Sequence, residues 1–579
     1  MTLYIKSFVT FLLTGLLFAN HLSAQTGNLF QGEGAGISVT ISDFNTAFGD
    51  SALSSLTIGS SSLISGANTA IGFGAAKNNT TTELTAIGAF AGYFNTTGFD
   101  NTFIGKDAGR LNTGAGDNTF IGVESGENNT DGYDNTFVGE ESGTLNTSGF
   151  ENTFIGEDAG FNNTTGYQNV FVGNEAGLNA GVGYKNVGVG SDALSDMDDG
   201  YRNTAVGDSA GADIGDGTFN TLIGTQAGVA TEWADYNTFI GALAGWDNNR
   251  TNGQSNANRN TYVGFRTGYT NREGEDNVGM GAYSDFDNTQ RYRCTFLGAA
   301  STISNNDVIS IGFQNLVDGS FSVSIGEFMD TRATGAIAMG YQTRMPNTAT
   351  NAIGIGRNTL VEGANSISIG AHDTVTGSNS ILIGYDYNLT ADNEVFVGNA
   401  ITANIGGSVN WTAMSDGRFK TAVKEDIPGL DFINSLRPVS YQFDLNQMHH
   451  FNGNDSLSEE LEEGLASKSE TRFTGFIAQE VEKAAQNLGY DFSGVKVPED
   501  ASSQAYGIRY AEFVVPLTKA VQELNRKVEE QQQIMLSQTE QLEKYQKNAE
   551  QTQKMMSELS ARLDALEQSQ IYPTISIRD

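Results

Sequence analysis

The chain has 579 residues, more than a single hydrophobic core usually organises, which predicts several domains or a repeat array. Its 70 glycines, only 6 prolines, 17% charged and 38% hydrophobic residues favour a turn-rich but folded array. The 68 acidic and 32 basic side chains give a net charge of −36, which repels nucleic acid and anionic lipid. Nucleic acid is therefore not an expected partner.

Few residues are available for metal or redox chemistry. The single cysteine, Cys294, has no partner for an intrachain disulfide or a cysteine-based metal site. A Ser-His-Asp enzyme or a three-histidine zinc site would have to draw on four histidines. These are His21, His372, His449 and His450. The sequence predicts no cofactor and no metal.

Residues 1–24 have the features of a secretory signal peptide. Lys6 precedes an apolar run over residues 8–19, and the small-residue end Leu22-Ser23-Ala24 precedes Gln25. The apolar run is about a dozen residues, shorter than the ~20 that span a bilayer. We expect an exported protein, extracellular or on the cell surface, without a transmembrane helix.

A short signature of Asn-Thr-apolar-apolar-Gly type recurs with a fixed period. Its glycine recurs every 17 residues from Gly105 to Gly241, and after one longer unit the same spacing leads from Gly264 to Gly298. The spacing then shortens to 14 residues, with one longer unit, through to Gly398. Such regularity is typical of repeat architectures.

Each unit holds one clear short strand, such as Asn118-Thr119-Phe120-Ile121-Gly122, and turn segments. Seventeen residues have room for two short strands and two turns, and for no useful helix. Such a unit cannot bury its apolar face alone, so stacked coils must share one core, with positions such as Asn152 and Asn169 forming ladders. About two dozen coils at ~4.8 Å would give a rod on the order of 100 Å long.

Two features of the array allow a second interpretation. Triplets such as Asn79-Thr80-Thr81 and Asn163-Thr164-Thr165 match the glycan acceptor pattern, although turn chemistry explains them better. Asp196, Asp198 and Asp199 could supply oxygen ligands to calcium, but the twelve-residue calcium-loop pattern is absent.

The longest interruption of the period lies near Trp233 and contains Trp246. An insertion in a solenoid projects as a loop on one face, often a binding face. An aromatic residue packed on the rod is the alternative that we favour.

The 14-residue units contain Asn365-Ser366-Ile367-Ser368-Ile369-Gly370 and Asn379-Ser380-Ile381-Leu382-Ile383-Gly384. They resemble the head repeats of trimeric autotransporter adhesins. That resemblance implies left-handed parallel β-rolls packed as a three-chain stalk or head. For the 17-residue units, a different β-solenoid or an interwoven triple β-helix stays open.

The repeat ends at Gly398, and a series of other motifs follows. They are Ser415-Asp416-Gly417-Arg418-Phe419-Lys420, then Leu436-Arg437-Pro438-Val439-Ser440-Tyr441, then Thr474-Gly475-Phe476-Ile477-Ala478-Gln479-Glu480-Val481, then residues 510–524, which end in a helix. In this order, over about 110 residues, they resemble the endosialidase-type intramolecular chaperone. That self-cleaving peptidase family is found at the C-termini of phage tailspikes and of some cellular membrane-bound transcription factors.

The resemblance implies a domain that trimerises, guides folding of the β-rich fibre before it and cuts itself off at a serine. Carried onto this sequence, it implies Ser415 as nucleophile, Lys420 as base and Met414-Ser415 as the cleaved bond. A lysine accepts the serine proton only when desolvation or nearby positive charge lowers its pKa. Burial against Phe419 and apolar groups at a trimer interface would have this effect.

Four other residues are predicted to support the site. We expect Asp416 and Arg418 to fix the loop through hydrogen bonds, and the Gln479-Glu480 pair to help hold the site. The source of the oxyanion donors cannot be assigned from the sequence.

Two segments depart from the family pattern. The acidic, polar insert over residues 446–472 contains His449-His450 and Glu459-Glu460-Leu461-Glu462-Glu463, and we expect a solvated loop there rather than a metal site. Residues 487–498 are also longer than usual. Neither departure involves the Ser-Lys pair.

A heptad pattern closes the chain. Between residues 517 and 566 the seam positions alternate at three and four residues. They are Val521, Leu524, Val528, Gln531, Met535, Gln538, Leu542, Tyr545, Ala549, Thr552, Met556, Leu559, Leu563 and Leu566. The pattern predicts a coiled coil, and the two resemblances imply three strands.

Together these features predict a mainly β protein: a trimeric parallel β-roll or β-solenoid shaft, then a small α+β chaperone domain and an α-helical coiled coil. The expected divisions are a signal peptide (1–24), an N-terminal segment (25–44), 17-residue repeats (45–298), 14-residue repeats (299–398), a chaperone domain (399–516), a coiled coil (517–566) and a tail (567–579).

We expect an exported homotrimeric surface fibre whose C-terminal chaperone acts once as a serine endopeptidase. Its partners are then other copies of itself, with a surface glycan or a protein as the ligand of the fibre. One alternative is a tailspike-like fibre that binds or hydrolyses glycans, for which acids such as Glu124, Glu141 and Asp158 could supply carboxylate pairs. Others are a phage tail fibre, for which a signal peptide has no use, and a trimerisation cap that does not cleave.

Overall fold

The computed structural model describes residues 27–39, 44–56, 66–250, 256–399, 401–402, 404–409, 411–451, 459–502 and 504–569. The side chains of residues 449 and 459–462 are outside this description, and the predicted signal peptide lies outside it entirely. The chain forms two compact units, residues 1–399 and 400–579.

The first unit is a parallel β-solenoid. One 23-stranded sheet, here called sheet A, receives one strand from each coil, and every strand pairs in parallel with its equivalent in the next coil. The strands of sheet A are Leu29–Gln31, Thr46–Phe48, Thr69–Ile71, Thr85–Ile87, Thr102–Ile104, Thr119–Ile121, Thr136–Val138, Thr153–Ile155, Val170–Val172, Val187–Val189, Thr204–Val206, Thr221–Ile223, Thr238–Ile240, Thr261–Val263, Val278–Met280, Thr295–Ala299, Ile309–Phe313, Val323–Glu327, Ile337–Tyr341, Ile353–Arg357, Ile367–Ala371, Ile381–Tyr385 and Val395–Val397.

A second parallel sheet of eight two-residue strands, sheet B, runs beside the later coils. Its strands are Asp285–Phe286, Thr302–Ile303, Leu316–Val317, Asp330–Thr331, Arg344–Met345, Leu360–Val361, Thr374–Val375 and Asn388–Leu389. The 14-residue coils therefore contain two strands each.

The 17-residue coils before residue 282 have room for two short strands, but each has one three-residue strand and forms its other sides from turns. The turns still bond from coil to coil: Gly109 N–H donates to Ser125 O at 2.9 Å, and Leu111 N–H donates to Glu127 O at 2.8 Å. Several of these turn residues have a positive φ, such as Glu124 at 57°. The backbone hydrogen bonds between coils therefore continue through turns that are not extended, and these turns lack the alternating pattern of a strand.

Two buried columns occupy the interior of the 17-residue coils. Phe103, Phe120, Phe137, Phe154 and Phe171 stack with ring centroids 4.7–5.2 Å apart. Beside them runs a buried asparagine ladder, as the repeat predicted. Its members include Asn101, Asn118, Asn135, Asn152, Asn169, Asn186, Asn203, Asn220 and Asn237.

Each ladder asparagine satisfies backbone groups of two coils. The Oδ1 of Asn152 accepts from Asn169 N–H at 2.9 Å, and its Nδ2 donates to Gly166 O at 2.8 Å. Asn163, the first residue of a triplet that matches the glycan acceptor pattern, is also buried. Its Nδ2 donates to Asn146 Oδ1 at 2.7 Å. Turn and ladder chemistry thus accounts for these Asn-x-Thr triplets.

The second unit is a small α+β region followed by a long helix. It contains a 3-10 turn at Gly417–Phe419, helices α1 (Leu430–Ser435), α2 (Leu445–Phe451), α3 (Glu459–Ser469), α4 (Ala478–Asn487) and α5 (Val514–Gln568), and a second 3-10 turn at Tyr510–Phe513. Its strands are Val439–Tyr441 and Phe473–Gly475, which pair antiparallel, and Val495–Lys496 and Gly507–Ile508, which do likewise.

The core of this unit is aromatic. Phe432 of α1 is fully buried and contacts Tyr490, Phe492 and Phe513 with ring centroids 5.0–6.5 Å apart. The start of α5 closes the core, where Glu523 Oε2 accepts from Leu430 N–H at 2.8 Å. No helix within the described residues has both the length and the apolar composition needed to cross a membrane.

The polar insert corrects the prediction of a solvated loop over residues 446–472. Its described parts are largely the helices α2 and α3. The run of Glu, Leu and Ala residues in α3 has high helix propensity, and Leu465 is buried on the inner side. The acidic composition of this segment is therefore compatible with a helix rather than with an irregular loop.

Candidate functional site

The predicted dyad residues are in contact. Residues 411–416 carry no regular secondary structure, and the 3-10 turn at Gly417–Phe419 then reverses the chain. This reversal brings Lys420 back to Ser415, so that Lys420 Nζ donates to Ser415 Oγ at 2.7 Å. A five-residue spacing thus brings the predicted nucleophile and the predicted base into contact through one local turn.

Asp416 and Arg418 hold the turn. The Oδ1 of Asp416 caps it by accepting from Arg418 N–H at 2.9 Å, and Arg418 Nε donates to Asp416 Oδ2 at 2.9 Å. These bonds from the Arg418 side chain and backbone lower the pKa of Asp416. The two residues are bonded to each other in the turn, and their role in supporting the site stays a prediction.

The surroundings of the dyad are open in the single chain. Ser415 and Lys420 are exposed, Met414 is 87% exposed and Phe419 is 70% exposed. Phe419 lies beside its own neighbour, with Arg418 Cζ 5.7 Å from the ring centroid. The burial expected around Lys420 is therefore not supplied by the chain's own described residues.

Gln479 and Glu480 lie in the first turn of α4. Glu480 pairs with Arg437, whose Nε donates to Oε2 at 3.0 Å, and this hydrogen bond lowers the pKa of Glu480. Within the described residues neither side chain bonds Ser415 or Lys420. Glu480 is bound into the domain through Arg437, and the support of the dyad by Gln479 and Glu480 stays a prediction.

Tyr510 is a structural residue that the sequence did not single out. Its hydroxyl accepts from Phe476 N–H at 3.2 Å, and a Cβ added to Gly475 would lie only 2.1 Å from this oxygen. The Gly475-Phe476 step of the third motif thus requires glycine because a tyrosine side chain closes on its backbone. In the sequence, Gly475 before Phe476 was the signal that a side chain packs closely against the backbone there.

An open cavity of about 750 Å³ lies beside this tyrosine. Its walls come from the strand end at Tyr441–Phe443, from α2, from the start of α4 and from residues near Tyr506. Gln479 lines this cavity, which places one of the predicted supporting residues at its wall.

The shaft acids form columns rather than a paired site. Glu124, Glu141 and Asp158 occupy the same turn position in successive coils, with φ of 55–57°. Burial raises the pKa of Glu141, and the nearby Asp158 and Glu124 act in the same direction. A repeated column of this kind does not distinguish one glycosidase pair from the next.

The remaining shaft candidates have structural explanations. The ring of Trp246 stacks on Tyr269 at 4.9 Å, so this aromatic residue packs on the coil, as favoured above. The backbone of Asp196 forms isolated parallel β-bridges with Asn179 and Asp213 in the neighbouring coils. Within the described residues no group of three or more His, Cys, Asp or Glu side chains is placed to hold a metal.

Comparison with known proteins concerns the C-terminal region. No curated protein matches the chain. The model of the family Peptidase S74, described as chaperone of endosialidase, matches residues 415–490, beginning at Ser415. A β-solenoid shaft followed by such a domain fits a tail-fibre-like protein. Residues 415–490 are therefore similar to the endosialidase-chaperone family, and they follow a repeat-rich β-solenoid along the chain.

Proposed function

We propose that this chain is an exported homotrimeric surface fibre, whose C-terminal chaperone drives trimerisation and folding and then cleaves the Met414–Ser415 bond. The observation that carries this proposal is the 2.7 Å contact between Lys420 Nζ and Ser415 Oγ at the first residue of the family match. A nucleophile in contact with its base is the minimum requirement for serine chemistry.

The reaction follows from the position of the serine after the scissile bond. With Lys420 neutral, its Nζ takes the hydroxyl proton while Ser415 Oγ attacks the carbonyl carbon of Met414. The C–N bond breaks, the Ser415 nitrogen receives the proton, and an ester joins Met414 to Ser415 Oγ. Water hydrolyses this ester, leaving a Met414 carboxylate and a free Ser415, so each chain reacts once.

The outer face of sheet A supports the trimer. In strand Ile367–Ala371 the small Ser368 points into the coil and is buried, whereas Ile369 is 40% exposed. Ile309 and Ile383 are exposed to a similar degree. A strand that buries serine and exposes isoleucine indicates that a second apolar surface covers the outer face.

Helix α5 supports the trimer independently. The large apolar seam residues of the heptad pattern are all exposed along the single helix. Their exposure is lowest at Val528, at 42%, and highest at Tyr545, at 71%. A 55-residue helix with an uncovered apolar stripe is stable when partner helices pack against it. Three parallel helices would also bring three shafts to high local concentration, which favours slow non-local β pairing.

Trimer assembly would give the dyad the burial that the single chain lacks. An apolar neighbour packed on Phe419 would remove water from Lys420 and favour its neutral form. Cleavage would then follow assembly, and the folded shaft would be released from its chaperone. Export is proposed from the signal-peptide pattern of residues 1–24.

Mass spectrometry of the purified protein under native and denaturing conditions tests the assembly and the cleavage together. We expect a native mass of three shafts and a denatured shaft that ends at Met414. A trimer of intact chains would show a permanent trimerisation cap, and a cleaved monomer would show that assembly is not the trigger.

A further inference from the structure

The open cavity of the C-terminal unit has an unusually apolar, accessible wall. Phe443, Phe451, Ile477 and Tyr510 all line it and remain 37–50% exposed. Such a cluster of uncovered large side chains marks a binding surface. Gln479 adds amide donor and acceptor groups to the wall, as bound peptide backbone requires.

The segment before the scissile bond is the complementary feature. Trp411 is 92% exposed and Met414 87% exposed, on a stretch without helix or strand. Its backbone is therefore available for pairing. Tryptophan is among the commonest anchors of protein interfaces because it buries a large apolar area with few rotatable bonds.

We propose that the cavity of one protomer binds Trp411 and Met414 of a second copy in the assembled fibre. This inference rests on the proposed self-cleavage and names the site that holds the segment to be cut. In the single chain the cavity is open while the segment is exposed, although both belong to the same compact unit. The occupant is therefore assigned to another copy rather than to the same chain.

The chemistry of the two surfaces agrees. Phe443, Phe476 and Tyr510 give the wall an aromatic surface that matches an indole ring, and the glutamines of the wall carry amide oxygens able to accept from the indole N–H. The Met414 side chain adapts to irregular apolar surfaces. Seating both side chains fixes the chain on the N-terminal side of the Met414–Ser415 bond, and the attacked carbonyl then has one orientation.

Two substitutions probe the two sides of this contact. Trp411→Ala removes the anchor, and Ala505→Phe places a ring in the cavity from an exposed alanine of its wall. Each should slow the appearance of the Ser415 fragment by at least about tenfold. Trp411→Phe should restore most of the rate, and Ala561→Phe, on an exposed position of α5 outside the seam, should leave it unchanged.

Co-expression of the two slow variants decides whether the contact joins two copies. In a mixed trimer the intact segment of the Ala505→Phe chain can enter the open cavity of the Trp411→Ala chain. The fragment that carries Phe at position 505, identified by its denatured mass, should therefore appear faster from mixed trimers than from the Ala505→Phe variant alone.

The outcomes separate this inference from the proposed function. Uncleaved wild-type protein would contradict the self-cleavage itself. Cleaved wild type with Trp411→Ala and Ala505→Phe at the wild-type rate would overturn only the docking site. Slow variants that do not complement each other would show that the contact lies within one chain and would overturn the assignment to a second copy.

Discussion

The glycine that closes each repeat strand lies directly below the same glycine of the next coil. A Cβ on Gly122 would lie 1.9 Å from the carbonyl oxygen of Gly139, and Gly122 has a φ of +149°. The contact and the backbone conformation both exclude a side chain. The recurring glycine therefore sets the distance between coils.

We expect Gly122→Ala to lower the free energy of unfolding of the shaft by more than about 3 kcal/mol, because no flexible group can move aside. Chemical denaturation followed by circular dichroism measures the change. Gly114→Ala is the matched control, since its Cβ would meet only Thr97 Oγ1 at 3.4 Å and its φ is not positive. Equal losses in the two variants would show that coil spacing is not responsible.

Asp373 is a buried acid inside the 14-residue coils. Its pKa is raised to about 7, chiefly by burial; the hydrogen bond from Tyr387 N–H opposes this shift, and the nearby Asp386 contributes to it. Between about pH 4 and 7 the folded shaft thus keeps a proton that the unfolded chain has lost. The free energy of unfolding contributed by this group decreases as pH rises through that window.

Asp373→Asn should remove this pH dependence, making the shaft more stable than wild type at pH 8 by at most about 4 kcal/mol. The difference in melting temperature between the two proteins should be large at pH 8 and small near pH 4. The exposed Glu362→Gln is the control. A difference that does not change with pH would contradict the account.

At the scale of the strand, the 14-residue coils bury serine side chains in two different ways. Ser322 Oγ donates to Ala333 O at 2.7 Å, whereas Ser324 Oγ has no hydrogen-bond partner among the described residues. Ala338 occupies the position of Ser324 in the next coil. The position of Ser324 in the coil therefore accepts an alanine methyl group in place of the serine hydroxymethyl group.

Ser324→Ala should raise the free energy of unfolding by about 1 kcal/mol, because a buried unpaired hydroxyl is removed. Ser322→Ala should lower it by about the same amount, because Ala333 O loses its donor. Denaturant titration of both variants measures the two signs. Destabilisation by Ser324→Ala would indicate that its hydroxyl is hydrogen-bonded in solution.

The elements were predictable from sequence to different extents. The sheet A strands and Asn152–Asn169 ladder followed from the fixed period, since equal positions must stack. The sequence left room for a second strand in the 17-residue coils and did not show that most of them use turns instead, because residues such as Glu124 adopt a left-handed conformation that composition does not reveal. The insert around α3 was predicted wrongly as a loop because acidic residues with high helix propensity were read only for charge.

The candidate site was predictable only where it is local. The Ser415–Lys420 contact depends on a single turn capped by Asp416, and the pair was named from the family resemblance of its motif rather than from the five-residue spacing alone. The cavity beside Tyr510 depends on side chains from four separate segments, and a linear pattern cannot bring these together. Gln479 was therefore named from its motif without its position at the cavity wall.

At the scale of the molecule, the account makes the seam of α5 necessary for cleavage. Replacing Leu542 and Leu559 together by Asp puts charges at two seam positions, which should abolish the trimer and leave the chain uncleaved. Lys547→Asp, on the outer side of the same helix, should change neither. Analytical ultracentrifugation and gel analysis measure both properties, and efficient cleavage of a monomeric double variant would separate cleavage from assembly.

The most direct measurement is the intact mass of the purified protein, wild type beside Ser415→Ala and Lys420→Ala. The account predicts a wild-type fragment that begins at Ser415, with both variants remaining full length although still trimeric. Wild-type protein that assembles yet stays whole, or a Ser415→Ala variant that is still cut before residue 415, would contradict the proposed self-cleavage.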